Sequence, residues 1–236
     1  MKIGIIVADV DEYKPLAQKI EEGEFEPYSF LKRQGHKFQI NSGENTAQVI
    51  SLLCGIGKVN ATAAAAHFAD IGCDIILNYG LSGGISGVRR GDLCLCDRLL
   101  EHDFDLTGIG YKPCEKPCQE YIYNSDAKLL EFAQKLIPNV KIGTAVSGDS
   151  FICDEEIRQK LKTQFSAMSC DMETAAIAYV CNFADIPFLA LRRISDDAGS
   201  DAKESYREMN SSDETLLSDY ILQLIEELIN CKSATV

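Results

Sequence analysis

Five places along this 236-residue sequence gather residues able to bind a ligand and move protons. Asp9, Asp11 and Glu12 follow the apolar run Lys2–Val7, and Gly80-Leu81-Ser82-Gly83-Gly84 follows the apolar run Asp74–Tyr79. Ser147-Gly148-Asp149-Ser150-Phe151 follows Val140–Val146, and Arg192 lies inside Pro187–Ile194, which Ser195 and Asp196 follow. Met172-Glu173 adds a carboxylate at the opening of a segment whose Ala175, Ala176 and Ala178 otherwise predict a core face. Four of these places sit where an expected strand ends. That is where open α/β sheets bind ligands.

The elements that must position these groups are read from apolar periodicity. Lys2–Val7 is short and β-branched, and a helical pattern through Leu16 and Ile20 follows it. Phe38–Ile40 and Gln48–Leu53 read as strands joined by the turn-rich Asn41–Asn45, a hairpin signal. The run Ala63–Ala66 gives Val59–Asp70 strong helix propensity and little bulk, so that helix can approach a sheet closely. Further strands are expected at Asp74–Tyr79, Asp92–Cys96, Val140–Val146 and Pro187–Ile194, with helices at Lys128–Leu136, Glu155–Leu161 and Ala175–Phe183. Ser211-Ser212-Asp213-Glu214 offers a capping box for a last helix through Leu228. Strands alternating with helices over residues 1–236 predict a single domain, a three-layer α/β/α sandwich around a mixed sheet.

Composition excludes several partners. Lys and Arg number 23 against 36 Asp and Glu, a net charge of −13 that gives no basic footprint for nucleic acid or anionic lipid. Runs such as Ile5–Ala8 and Ile75–Leu77 are far shorter than the ~20 residues that span a bilayer. The first residues run quickly into Asp9, Asp11 and Glu12 and lack the pattern of a signal peptide, so a cytoplasmic location is expected. The ten cysteines then read as reduced thiols. Cys94/Cys96 and Cys114/Cys118 form no CxxC pair, and only His36, His67 and His102 are available to help, so buried thiols are favoured over a zinc site.

No GxGxxG follows the first strand and no GxxxxGK[ST] is present, which sets aside dinucleotide and Walker-type nucleotide binding. Several motifs instead occur together, in order, over nearly the whole chain: Met1–Ile6 with Glu12, Gly55-Ile56-Gly57-Lys58-Val59, Val146-Ser147-Gly148-Asp149-Ser150-Phe151-Ile152, Asp171-Met172-Glu173-Thr174-Ala175-Ala176-Ile177-Ala178, and Leu191-Arg192-Arg193-Ile194-Ser195-Asp196. In these the sequence resembles the 5′-methylthioadenosine/S-adenosylhomocysteine nucleosidases of the nucleoside phosphorylase superfamily. The resemblance implies a purine nucleoside substrate, no cofactor and no metal. It also implies a homodimer in which Leu106–Pro117 of one subunit covers the neighbour's pocket.

Cleaving an N-glycosidic bond builds positive charge on the ribose and negative charge on the departing adenine, so an acid is needed at the base and carboxylates near the sugar. By the resemblance, Asp196 protonates adenine N7 and Glu12 deprotonates the attacking water. Glu173 binds the ribose hydroxyls, and Arg192 pairs with Glu12 or Glu173. Ile56, Leu106, Phe151, Met172 and Tyr206 line the pockets, Ile152 reads the adenine edge through its backbone, and Ser82 and Gly83 border base and sugar. Composition alone gives plainer readings: Asp196 as a cap or loop carboxylate, Glu12 and Glu173 as helix-start charges, Arg192 as half of a structural ion pair, and the apolar residues as core.

Phosphorolytic relatives use a cationic phosphate cradle. Glu12 and Asn78 stand where that cradle would call for positive groups, which favours water as the nucleophile. Leu81-Ser82 departs from the usual Ser-Ala of the glycine turn, and Asp9 replaces an apolar residue near the ribose. The competing functions are a nucleosidase for another purine nucleoside such as aminodeoxyfutalosine, a phosphorylase, and a non-catalytic nucleoside-binding protein.

Overall fold

The computed structural model describes residues 1–211 and 215–233. In chain order the elements are β1 (Lys2–Val7), α1 (Val10–Glu21), β2 (Phe25–Phe30), β3 (Arg33–Ser42), β4 (Asn45–Leu53), α2 (Lys58–Asp70), β5 (Ile75–Gly84), β6 (Leu93–Glu101), β7 (Tyr123–Asn124), α3 (Ala127–Leu136), β8 (Lys141–Ser147), α4 (Glu155–Phe165), β9 (Ser169–Asp171), α5 (Thr174–Phe183), β10 (Phe188–Asp196), α6 (Ala202–Asn210) and α7 (Leu216–Ser233). A 3-10 turn, Thr107–Ile109, interrupts the long segment between β6 and β7.

All strands join one mixed sheet, ordered β10-β6-β8-β9-β5-β1-β4-β3-β2, with β7 beside β6. Because β10 pairs with β5 as well as with β6, one end of the sheet closes on itself. The expected mixed sheet is present, and this closure adds to it. Alternation along the strands sends side chains to two faces. Ile3, Ile5, Leu77 and Tyr79 pack with α1, α3 and α7, while Ile6 and Ile76 pack with α2 and α5. Helices therefore cover both faces, as the three-layer reading requires.

Several elements differ from the sequence reading. β5 runs on through the glycine turn to Gly84, and β6 runs on to Glu101, because pairing with β10, β9 and β8 holds residues whose own propensity is poor. β2 and α6 were not expected. The strand FEPYSF is a mostly exposed sheet edge containing Pro27, and AKESYREMN buries only Ala202, so neither shows a strong apolar period. The proposed capping box falls mainly on residues 212–214, outside the described residues.

Candidate active site

Local chemistry sets the first carboxylate. Asp9 has extended backbone and its Oδ1 accepts from Asp11 N at 2.8 Å, a helix N-cap that starts α1 immediately after β1 and leaves Glu12 in the first turn. Glu12 Oε1 accepts from Leu81 N at 2.8 Å across the end of β5. Burial raises the Glu12 carboxyl to about 8 against the pull of Arg192 and the Leu81 N–H, with Glu173 and Asp9 adding to the rise. Gly80 makes this approach possible. A Cβ there would run into Arg192 Nη1 and stand 2.6 Å from Glu12 Oε2.

Glu173 opens α5, and its Oε1 accepts from Gly57 N at 2.8 Å. Burial and the neighbouring Asp171 raise it to about 7, while Arg192 works in the other direction. Gly57 caps α2 without a side chain, and the first N–H groups of α2 turn to carboxylates from elsewhere in the chain. Glu173 takes Gly57 N, and Asp149 Oδ1 takes Lys58 N at 2.9 Å. Lys58 Nζ also reaches Glu101 Oε2 at 3.0 Å and Asp103 Oδ1 at 2.5 Å, while Asp149 N donates to Asp103 Oδ2 at 2.9 Å. Three rim segments are thus tied together around one lysine.

The third carboxylate sits at the end of β10. The register of β10 against β5 shifts between Ile194 and Asp196, a local bulge of the kind that re-aims a side chain. Asp196 Oδ2 accepts from Ser195 Oγ at 2.6 Å and Oδ1 from Ala198 N at 2.8 Å. Burial nevertheless raises its carboxyl above the ordinary aspartate value, against those two hydrogen bonds.

Glu12, Glu173 and Asp196 share one cavity of about 230 Å³. Ile56, Ser82, Gly83, Phe151, Ile152, Met172 and Tyr206 also line it. The rings of Phe151 and Tyr206 meet edge to face at 5.4 Å. Burial and the carboxylates of Glu12, Asp9 and Glu173 raise the Tyr206 hydroxyl above its ordinary value.

Two expected residues do not line the cavity. Leu106 lies on the segment between β6 and β7, away from this chain's own cavity. Arg192 is 1% exposed and stands behind the cavity wall. Its Nε ion-pairs with Asp171 Oδ2 at 3.2 Å, Nη2 donates to Asn78 Oδ1 at 2.6 Å, and both nitrogens bond Thr174 Oγ1. The expected ion pair with Glu12 or Glu173 is therefore replaced by one with Asp171. Both glutamates still favour the guanidinium charge through space. Asn78 is likewise inside β5 rather than at its end, donating to Ile6 O at 2.8 Å.

Sequence reasoning passed over Asp171. It accepts from Ser147 Oγ at 2.5 Å, from the Glu173 and Thr174 backbones at 3.1 and 3.0 Å, and from Thr174 Oγ1, besides pairing with Arg192. Two signals point to it: an acid just before an apolar helix, and a buried arginine that needs a counter-charge. Among the described residues, no group of three or more His, Cys, Asp and Glu is placed to hold a metal ion.

The model of the Phosphorylase superfamily matches residues 2–230. This chain belongs to that superfamily. Its similarity within the superfamily runs to nucleosidases. The 5′-methylthioadenosine/S-adenosylhomocysteine nucleosidase of Staphylococcus carnosus is 33% identical over 96% of this chain and 100% of its own. The aminodeoxyfutalosine nucleosidase of Campylobacter jejuni is 30% identical over 97% of this chain and 100% of its own. The crystal structure of a Helicobacter pylori relative with 5′-methylthioadenosine in its active site superposes with a TM-score of 0.89 at 25% identity, covering 96% of this chain and 98% of that one.

Proposed function

We propose that this member of the superfamily hydrolyses the N-glycosidic bond of 5′-methylthioadenosine and S-adenosylhomocysteine, releasing adenine and the 5-substituted ribose. The observation that carries the reading is one cavity holding an acid, Asp196, and two carboxyl groups, Glu12 and Glu173, from separate elements. The nucleosidase relatives with these substrates in their names support it.

Asp196, its carboxyl held above the ordinary aspartate value by burial, donates to adenine N7 and lets the base depart without full negative charge. Glu12 is a strong base once ionised, because burial raises its proton affinity, and it takes a proton from the attacking water. Glu173 holds the ribose hydroxyls and favours the oxocarbenium-like charge. Arg192 acts through others. Its contact with Asp171 fixes the start of α5, and its charge keeps the anions of Glu12 and Glu173 accessible. A carboxylate at position 12 repels phosphate, and Asn78 is occupied with Arg192, which supports water as the acceptor.

The Campylobacter jejuni relative favours a second reading, a nucleosidase for aminodeoxyfutalosine. Adenine release from each of the three nucleosides by the wild type, Glu12→Gln and Asp196→Asn separates these readings. Hydrolysis lost in both variants, with adenine still bound, is the expected result. Turnover retained in either variant would remove that carboxyl group from the mechanism. The same reading carries a homodimer with Leu106 at the neighbour's pocket. It also carries a cytoplasmic site of action, which ten cysteines kept as thiols would suit.

A further inference from the structure

We propose that Asp9 selects adenine nucleosides whose 5′ arm carries a hydrogen-bond donor, a hydroxyl or an ammonium, over those whose arm ends in an apolar thioether. The inference rests on the nucleosidase reading and concerns which member of the substrate class the site prefers.

Asp9 lines the cavity together with Glu12 and Tyr206, yet the bond cleavage assigns it no proton to move. Its Oδ1 is taken by Asp11 N at 2.8 Å and by Asn210 Nδ2 at 3.1 Å. Among the described residues, its Oδ2 accepts no hydrogen bond and no lysine, arginine or histidine forms an ion pair with it. A carboxylate offers about four acceptor sites, and a half-buried one beside apolar walls gains most from a donor that supplies the missing bonds.

The layout places that donor. Asp196 and Gly83 mark the base end, since a Cβ at Gly83 would stand 3.2 Å from Asp196 Oδ1. Glu12 and Glu173 flank the sugar. Asp9 lies one helical turn before Glu12 and close enough to Tyr206 for its charge to raise that hydroxyl, and Tyr206 in turn meets Phe151, so on the nucleosidase reading a group extending from the sugar away from the base comes to this corner. Asn210 ends α6, so its bond to Asp9 also ties the helix carrying Tyr206 to this corner. The charge of Asp9 adds to the rise of the Glu12 carboxyl, and a donor at Asp9, above all a cationic one, offsets that charge.

The test is steady-state kinetics with adenosine, 5′-amino-5′-deoxyadenosine and 5′-methylthioadenosine on the wild type, Asp9→Leu and Asp9→Asn. Asp9→Leu is expected to lower kcat/KM for the two donor-bearing nucleosides by about tenfold or more relative to 5′-methylthioadenosine, mainly through KM. Asp9→Asn keeps the cap oxygen and puts an N–H2 in place of Oδ2; a 5′ hydroxyl can accept from that group and an ammonium cannot, so the variant should retain adenosine and lose selectively on the ammonium substrate. An equal loss on all three substrates in Asp9→Leu, restored by Asp9→Asn, would reduce Asp9 to a cap and overturn the proposal. Release of adenine from none of the three by the wild type would overturn the nucleosidase reading, and the proposal with it.

Discussion

At the scale of single residues, the site concentrates carboxyl groups in a place that costs stability. Glu12 rises from 4.5 to about 8 and Glu173 from 4.5 to about 7 on folding, so across that interval the folded chain holds protons that the unfolded chain releases. The sign follows directly. Stability is full below the unfolded value and falls as pH rises through the folded value. Glu12→Gln mimics the protonated group at every pH. It should therefore abolish turnover by about a thousandfold or more and yet raise the Tm near pH ~9, with the advantage closing toward pH ~5. Thermal melts at the two pH values check this; an unchanged or lower Tm at the higher pH would contradict it. Asp196→Asn removes the proposed donor to the base and should cost about 10²–10⁴-fold in kcat with a smaller change in KM, read by adenine release.

The residue types were largely legible in the sequence because acids and an arginine at strand ends and inside apolar runs are hard to explain as core. Their pairing was not. Arg192 meets Asp171 rather than Glu12 or Glu173, and that choice is made by how β10 and the start of α5 pack, which no local spacing encodes.

At the scale of elements, the site depends on how neighbouring segments complete one another's unsatisfied ends. The N-terminus of α2 is closed by Glu173 and Asp149, and Lys58 binds the ends of β6 and β8 into the same rim. Lys58→Met should loosen the rim that carries Ile56 and Phe151 and raise KM by about tenfold, with a smaller effect on kcat. Partial restoration by Lys58→Arg would separate positioning from a general loss of fold. Gly80→Ala should do more damage, because the added methyl enters the space shared by Arg192 and Glu12. Its measured kcat should fall at least as far as that of Lys58→Met.

Elements with a strong local signal, such as β1 with its continuous apolar run and α2 with its alanines, were legible in the sequence. The extensions of β5 and β6 were not, since glycines and polar residues hold strand geometry there only through β10, β9 and β8. The polar helix α6 was equally hidden, although it delivers Tyr206 to the cavity and Asn210 to Asp9.

At the scale of the whole molecule, closure of the sheet between β5 and β10 brings the ends of β1, β5 and β10 beside the opening of α5, so that carboxyl groups from positions 12, 173 and 196 meet. The alternation of strands and helices made the layered class readable, whereas the closure rests on a long-range pairing that periodicity cannot reveal. Leu106 belongs to this scale as well. It does not line its own chain's cavity, so the pocket role proposed for it requires a second subunit. Sedimentation should give twice the chain mass, and Leu106→Asp should weaken the assembly and raise KM together. A fully active monomer would contradict the shared pocket.

In the proposed mechanism, water held by Glu12 attacks the ribose carbon while Asp196 protonates the leaving base. Turnover of 5′-methylthioadenosine in ¹⁸O-labelled water, with and without phosphate, measures this most directly. One ¹⁸O in the released methylthioribose and a rate indifferent to phosphate are expected. A 5-methylthioribose 1-phosphate product, or adenine release that requires phosphate, would contradict it.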